Sequence, residues 1–201
     1  MAFYKFLDSE KAVNSFCLGK MYFNTPEYYR KIEEKDEIGR KDTYDGMFYG
    51  ENFETPNKKP IRLVMKPERE NSIIMCVSHN LKKENLRRMK KMGSLVVVIK
   101  DETLFLDKVY KASILNGYKV KARGVQYYED LDKSIWNSLE KGLDNFAFLK
   151  QKEKWEYQQE FRVVLEKDNW EPKFTILGIG DITDISEVVL AEKLESVLQQ
   201  F

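Results

Sequence analysis

Gln158, Glu160 and Arg162 are spaced two residues apart inside the segment Trp155–Glu166, WEYQQEFRVVLE. Read with the period of a β-strand, the three project from one face, about 7 Å separating alternate side chains along the strand. A carboxylate flanked by an amide and a guanidinium can hold a pair of ribose hydroxyls. It can also stabilise positive charge developing on a sugar carbon, because an oxocarbenium-like transition state needs a carboxylate placed in this way. The opposite face carries Trp155, Tyr157, Gln159, Phe161, Val163 and Leu165, is largely aromatic and aliphatic, and is predicted to be buried at Phe161, Val163 and Leu165. The same residues also suit a simpler role, in which Glu160 and Arg162 pair with neighbouring strands across a solvated sheet face.

Other chemistry-bearing residues form no comparable group. His79 is the single histidine, and Ser78-His79 alone does not assemble a catalytic triad. No cluster of His, Cys and carboxylates has metal-ligand spacing, so no metal is expected. Gly178-x-Gly180 lacks the third glycine and the following helix of a phosphate loop. Lys82-Lys83 and Arg87-Arg88-x-Lys90-Lys91 make a basic face, ordinarily a solvated one, with nucleic acid or a protein as the less favoured partner. Lys plus Arg total 34 against 33 Asp plus Glu, a balance that argues against a broad nucleic-acid footprint. Met1–Lys5 runs straight into polar residues, unlike a secretory signal, and no apolar run approaches the roughly 20 residues of a membrane span. Cys17 and Cys76 sit in apolar surroundings and are read as free thiols in a reducing cytoplasm.

The elements that must position these residues are legible in part. Phe3–Leu7 reads as a strand. Asp8 or Ser9 caps a helix over Glu10–Cys17, which Gly19 stops. Lys20–Asn24 alternates as a strand, and Thr25-Pro26-Glu27 opens a helix to about Glu34. Asp36–Lys59 reads as a long polar loop, of the kind that often carries function. Ile61–Lys66 and Ser72–Ser78 are predicted strands, Leu81–Met92 a helix ended by Gly93, and Ser94–Lys100 a buried strand. A helix over Asp101–Ala112, strand character over Tyr118–Tyr128 and a helix over Asp130–Phe148 follow. Trp155–Glu166 is the strand described above, and Glu187–Ala191 a last strand before a helix over Glu192–Gln200. The pattern shows no repeat or linker and predicts one domain over residues 1–201, of α+β class, with flanking helices on a mixed, mainly antiparallel, split sheet.

The order of motifs is more specific than any one of them. Phe3-Tyr4-Lys5-Phe6 precedes a helix and Gly19-Lys20-Met21-Tyr22-Phe23. Gly39-Arg40-Lys41-Asp42-x-x-Asp45-Gly46, Ile73–Ser78, the strand after Gly93, Val125-x-Tyr127 and Trp155-x-Tyr157-x-x-Glu160-Phe161-Arg162 follow. This succession resembles the bacterial and phage family labelled domain of unknown function 2971, itself similar to ADP-ribosyltransferase-like folds. The resemblance spans about residues 3–190. It implies an ADP-ribosyltransferase-like protein that binds NAD or a related nucleotide and transfers ADP-ribose to a protein or nucleic-acid acceptor, or hydrolyses NAD. Glu160 is then the catalytic glutamate, Gln158 orients the acceptor and Arg162 braces the glutamate or touches phosphate. Tyr4, Lys5, Arg40 and Asp45 contact the nucleotide. Lys5 stands where members often have His, and Asp45 where many have Glu. The alternative is a non-catalytic phage or mobile-element protein that binds a host protein or a nucleotide signal. Either protein would work in the cytoplasm, of the bacterium or of a phage's host, away from membranes.

Overall fold

The computed structural model describes residues 2–31, 43–45, 47–54, 60–65, 71–129, 134–135, 146–168, 170–171 and 174–198. The first strand, β1 (Phe3–Leu7), buries Phe3, Tyr4 and Phe6 and leads to the helix Glu10–Cys17, whose first turn is closed by Ser9 Oγ accepting from Ala12 N–H. Ser9 rather than Asp8 is therefore the cap. The helix stops at Gly19, which holds φ +80°. A Cβ there would lie 1.9 Å from the Gly180 carbonyl oxygen, so both the backbone angle and the close approach require glycine. Gly19→Ala is expected to destabilise the protein by at least about 2 kcal/mol in urea unfolding, the combined cost of a left-handed alanine and a displaced Gly180. An unchanged midpoint would show that the approach of the two glycines is not constrained.

The remaining strands are β2 (Lys20–Phe23), β3 (Phe48–Glu54), β4 (Pro60–Met65), β5 (Ser72–His79), β6 (Leu95–Ile99), β7 (Lys119–Gly124), β8 (Gln126–Tyr128), β9 (Leu149–Gln151), β10 (Glu160–Glu166), β11 (Thr175–Gly178) and β12 (Ser186–Leu190). Among the described residues, six of them form one sheet in the order β12-β6-β1-β5-β10-β7, with every pairing antiparallel. β2 with β11 and β3 with β4 make antiparallel ribbons, while β8 and β9 pair in parallel. The described residues thus form a single α+β domain on a mainly antiparallel sheet.

The sheet is not evenly zipped. β1 pairs with β6 over five positions, Phe3 to Leu7, but with β5 over only two, Phe3↔His79 and Tyr4↔Ser78. Beyond Tyr4 the two central strands part. The Cys76 carbonyl, with no strand partner from β1, accepts instead from Lys5 Nζ at 2.7 Å. A backbone group deprived of its ladder must find another partner, and a long lysine side chain reaches across where a backbone N–H does not.

Both faces of the sheet are covered. The helices Glu10–Cys17 and Glu102–Leu115 lie on one face with β2 and β11, over Phe3, Met75, Val77, Val97, Val163 and Leu165. Tyr4, Phe6, Val96 and Val98 face the other way, against Leu86, Met89 and Leu194. In β10 Phe161, Val163 and Leu165 join the first core, as their alternation predicts. Their alternates are not solvated: Glu160, Arg162 and Val164 are buried too. A strand inside the sheet, covered on both sides, has no solvated face to offer.

Several expectations are corrected. Trp155–Gln159 is not strand. Lys152–Trp155 is helical, Glu156–Gln158 a 3-10 turn, and Gln159 adopts a left-handed conformation at φ 46°. The apparent alternation of WEYQQ is that of a tight helical turn with Tyr157 and Gln158 both buried. The long loop over Asp36–Lys59 contains β3, whose Gly-containing sequence hides its strand pattern. Leu81–Met92 is a broken helix, with only Leu86–Met89 α-helical between two 3-10 turns. The predicted helix Asp130–Phe148 ends in a 3-10 turn at Phe146–Phe148 and lies otherwise almost wholly outside the described residues, as do Glu33 and Glu34 of the second helix.

Candidate functional site

A cavity of about 610 Å³ opens where β1 and β5 part, and its wall includes Tyr4, Lys5, Asp45, Lys150, Gln158 and Glu160. β1 supplies the first two residues. The turn before β3 supplies Asp45, β9 supplies Lys150, and the 3-10 turn and first residue of β10 supply Gln158 and Glu160. The left-handed Gln159 makes this last junction. Its N–H donates to the Glu156 carbonyl at 3.1 Å and its carbonyl accepts from His79 N–H at 2.9 Å, which ties the turn to β5. The conformation is rare for a residue with a side chain. It places Gln158 and Glu160 on the same cavity by folding the chain back rather than by strand alternation.

Behind the cavity wall lies a buried ion network. Arg162 is fully buried, and its two Nη atoms donate to the two oxygens of Asp45 at 2.9 and 2.8 Å. Its Nε donates to Glu160 Oε2 at 3.0 Å, and Nη1 also donates to the Ala147 carbonyl at 2.6 Å. Lys150 donates to the other Glu160 oxygen, Oε1, at 3.2 Å and to Gln158 Oε1 at 2.9 Å, and stands 3.9 Å from Asp45. Gln158 Nε2 donates to Tyr157 Oη at 3.3 Å. Among the described residues the two carboxylates of Asp45 and Glu160 balance the two cations of Arg162 and Lys150. Charges taken from water at this depth persist only when paired and hydrogen-bonded in this manner.

The surrounding groups are tuned by this network. Burial alone would push the Glu160 carboxyl up, but the Arg162 guanidinium and Lys150 override it and hold it down at about 2. Burial would lower the guanidinium of Arg162, yet Asp45 and Glu160 keep it well above its ordinary value. Burial, reinforced by the Glu160 charge, raises the Cys76 thiol to about 12. Burial likewise raises the Tyr127 hydroxyl, whose oxygen accepts from Glu160 N–H at 2.8 Å, and the Tyr29 hydroxyl. The thiol and both hydroxyls are therefore neutral at ordinary pH, while Glu160 is ionised. The site offers fixed charges and hydrogen-bonding groups rather than a base poised near neutrality.

An acid titration reads this arrangement out. The unperturbed carboxyl value is 4.5 and the folded value is about 2, so the stabilisation is complete above about pH 4.5 and is lost as pH falls towards 2. Wild type minus Glu160→Gln, compared by urea unfolding between pH 7 and 2.5, should show up to about 3 kcal/mol of stability, most of which is lost across that window. Parallel curves for the two proteins would mean that the carboxylate is not held by its neighbours.

Of the residues singled out from sequence, Tyr4, Lys5, Asp45, Gln158 and Glu160 share the cavity wall. Arg162 lies behind it, contacting Asp45 and Glu160. Arg40 lies outside the described residues. His79 is not in the wall: its ring packs edge-on against Phe161 at 5.8 Å, and burial lowers its pKa. The basic 82–91 segment is partly committed within the chain, Arg88 lying 3.6 Å from the centre of the Tyr157 ring and Lys83 pairing with Glu195 at 2.5 Å. Among the described residues no group of His, Cys and carboxylates is arranged for a metal, and no helix is long and apolar enough to cross a membrane.

Sequence reasoning misses Lys150. Its signal is a lysine ending the apolar run Phe146-Ala147-Phe148-Leu149, where a charge must find a partner. A second cavity, of about 710 Å³, lies across the Gln151–Gln159 segment and is walled by Arg88, Tyr128 and Tyr157; of the residues singled out from sequence it takes Lys82 and Arg88 of the basic face and none of the proposed nucleotide site. No protein-family model, curated protein or solved structure matches this chain.

Proposed function

We propose that the cavity between β1 and β5 binds a nucleotide, NAD or one of the same build, and that the protein is ADP-ribosyltransferase-like. The observation that carries this reading is the convergence of Tyr4, Lys5, Gln158 and Glu160, from segments far apart in the chain, on one cavity wall. A volume of about 610 Å³ suits a nucleotide-sized ligand. In this reading Glu160 accepts from ribose hydroxyls and supports positive charge on the anomeric carbon as the bond to nicotinamide breaks. Arg162 and Asp45 are positioning residues, since Arg162 fixes the carboxylate from behind and Asp45 fixes Arg162. Lys5, on the wall, faces the phosphates.

A second reading is favoured by one observation. Both Glu160 oxygens already accept from cations, and a neutralised carboxylate stabilises a developing sugar cation less than a free one does. The protein would then bind a nucleotide without cleaving it. Incubating pure protein with NAD separates the two, with binding followed by calorimetry and nicotinamide release and label transfer to cell lysate followed in parallel. Saturable binding with release supports the transferase or glycohydrolase reading. Binding without release, across several lysates, leaves the non-catalytic reading. Absence of binding by NAD and by other adenine nucleotides overturns both.

A further inference from the structure

The β2–β11 ribbon presents an aromatic face that neither core uses. Its inward residues Met21, Phe23 and Leu177 are buried, and its outward residues follow from the register. Lys20 lies opposite Gly178 and Tyr22 opposite Ile176, and Phe174 extends the row. Tyr22, Ile176 and Phe174 are 41%, 47% and 54% exposed. The Tyr22 and Phe174 rings lie 5.6 Å apart and tilted by 34°, with Tyr22 Oη and Ser15 Oγ 3.0 Å apart. This row adjoins the cavity, since Tyr22, Ser15, Asn24, Tyr28 and Lys11 are all among its lining residues.

We propose that this ribbon face binds single-stranded nucleic acid, with one or two bases stacked on Tyr22 and Phe174 and the phosphates met by Lys20 and Lys11. Exposed rings on a sheet face beside cationic side chains, here Lys20 on β2 and Lys11 on the helix Glu10–Cys17, are the arrangement that single-strand binding uses, because every base has a face to stack. Four exposed side chains cover the area of a base or two, well short of the roughly 1,000 Å² that a stable protein interface needs. The glycine opposite Lys20 leaves space above the ribbon, since a Cβ at Gly178 would meet nothing within 4 Å. A strand laid along the row reaches the residues that line the cavity. A duplex hides its base faces and does not fit this surface.

The test uses the intact protein and fluorescein-labelled oligothymidylate and oligouridylate, without NAD, so its outcome is independent of the cavity reading. Anisotropy should show saturable binding at low salt. Tyr22→Ala and Phe174→Ala should each weaken it about fivefold or more, consistent with loss of one stacked base. Tyr110→Ala, at an exposed tyrosine on the helix Glu102–Leu115, should leave binding unchanged. Two phosphate contacts predict a shallow salt slope, log K against log salt of about −1.4. Circular dichroism checks that each variant is folded, which is expected because the rings are exposed. Absence of single-strand binding overturns the proposal, and so does binding that Tyr22→Ala and Phe174→Ala leave intact. A steep salt slope abolished by charge reversal at Lys82, Arg87, Lys90 and Lys91 would also overturn it, because it assigns the contact to that face instead.

Discussion

Arg162→Met is expected to destabilise the protein by about 3–5 kcal/mol, the largest stability effect of any single change at this site. The loss exceeds that of the bonds themselves. Methionine fills much of the same space, but it leaves the buried Asp45 and Glu160 carboxylates with Lys150 as the one ion-pair partner that the described residues still give them. For a domain of 201 residues that cost lowers the melting temperature by roughly 6–20 °C. Removing the orphaned partner should restore part of the loss. Asp45→Leu with Arg162→Met leaves Glu160 and Lys150 as a neutral pair, so the double variant should be more stable than Arg162→Met alone. Calorimetry of the three proteins decides it, and additive losses would show that the four charges do not act as one unit.

The largest expected effect on activity belongs to Glu160→Gln. In the transferase reading an amide of equal size cannot support a ribosyl cation, and nicotinamide release should fall about 10²-fold or more. The fold is not left untouched. Glutamine accepts poorly from two cations, and the network is left with a net positive charge in the interior. The activity must therefore be read below the melting transition, beside Lys150→Met, which disturbs the same network but keeps the carboxylate. If both variants lose activity in step with their stability, Glu160 is architectural and the site assignment is wrong. If Glu160→Gln alone loses turnover while NAD still binds, the carboxylate acts on the reacting sugar.

The contrast between these residues shows what a sequence discloses. Ser9, Gly19, Thr25 and Gly93 mark ends of elements through local chemistry, and those ends are legible. β6 and the apolar half of β10 are legible too, because buried strands leave long aliphatic runs. Gln159 is not, since alternation across WEYQQ has the same look whether the chain runs straight or turns through a left-handed residue. Asp45 and Arg162 meet across 117 residues, and nothing local in either segment records the partnership. Glu160 and Arg162 stand out as charges in an apolar strand, but their alternation suggests a solvated face. Burial on both sides of the sheet is a property of the assembled layers, and it turns that pair from a surface contact into an internal one.

The parting of β1 and β5 bears on how the chain comes to be made. β1 leaves the ribosome long before β10, yet the wall that Tyr4 and Lys5 contribute to is completed only by Lys150, Gln158 and Glu160. Until β10 emerges, β5 lacks its longest partner strand, and the Asp45 carboxylate has no guanidinium to receive it. The nascent chain must then carry an open, strongly apolar strand through much of its synthesis, the condition under which sheets pair with the wrong neighbour. Expression yield should accordingly depend on temperature and chaperone supply more than the stability of the finished protein suggests. Fragments ending before residue 160 should collect as aggregates rather than as smaller folded units.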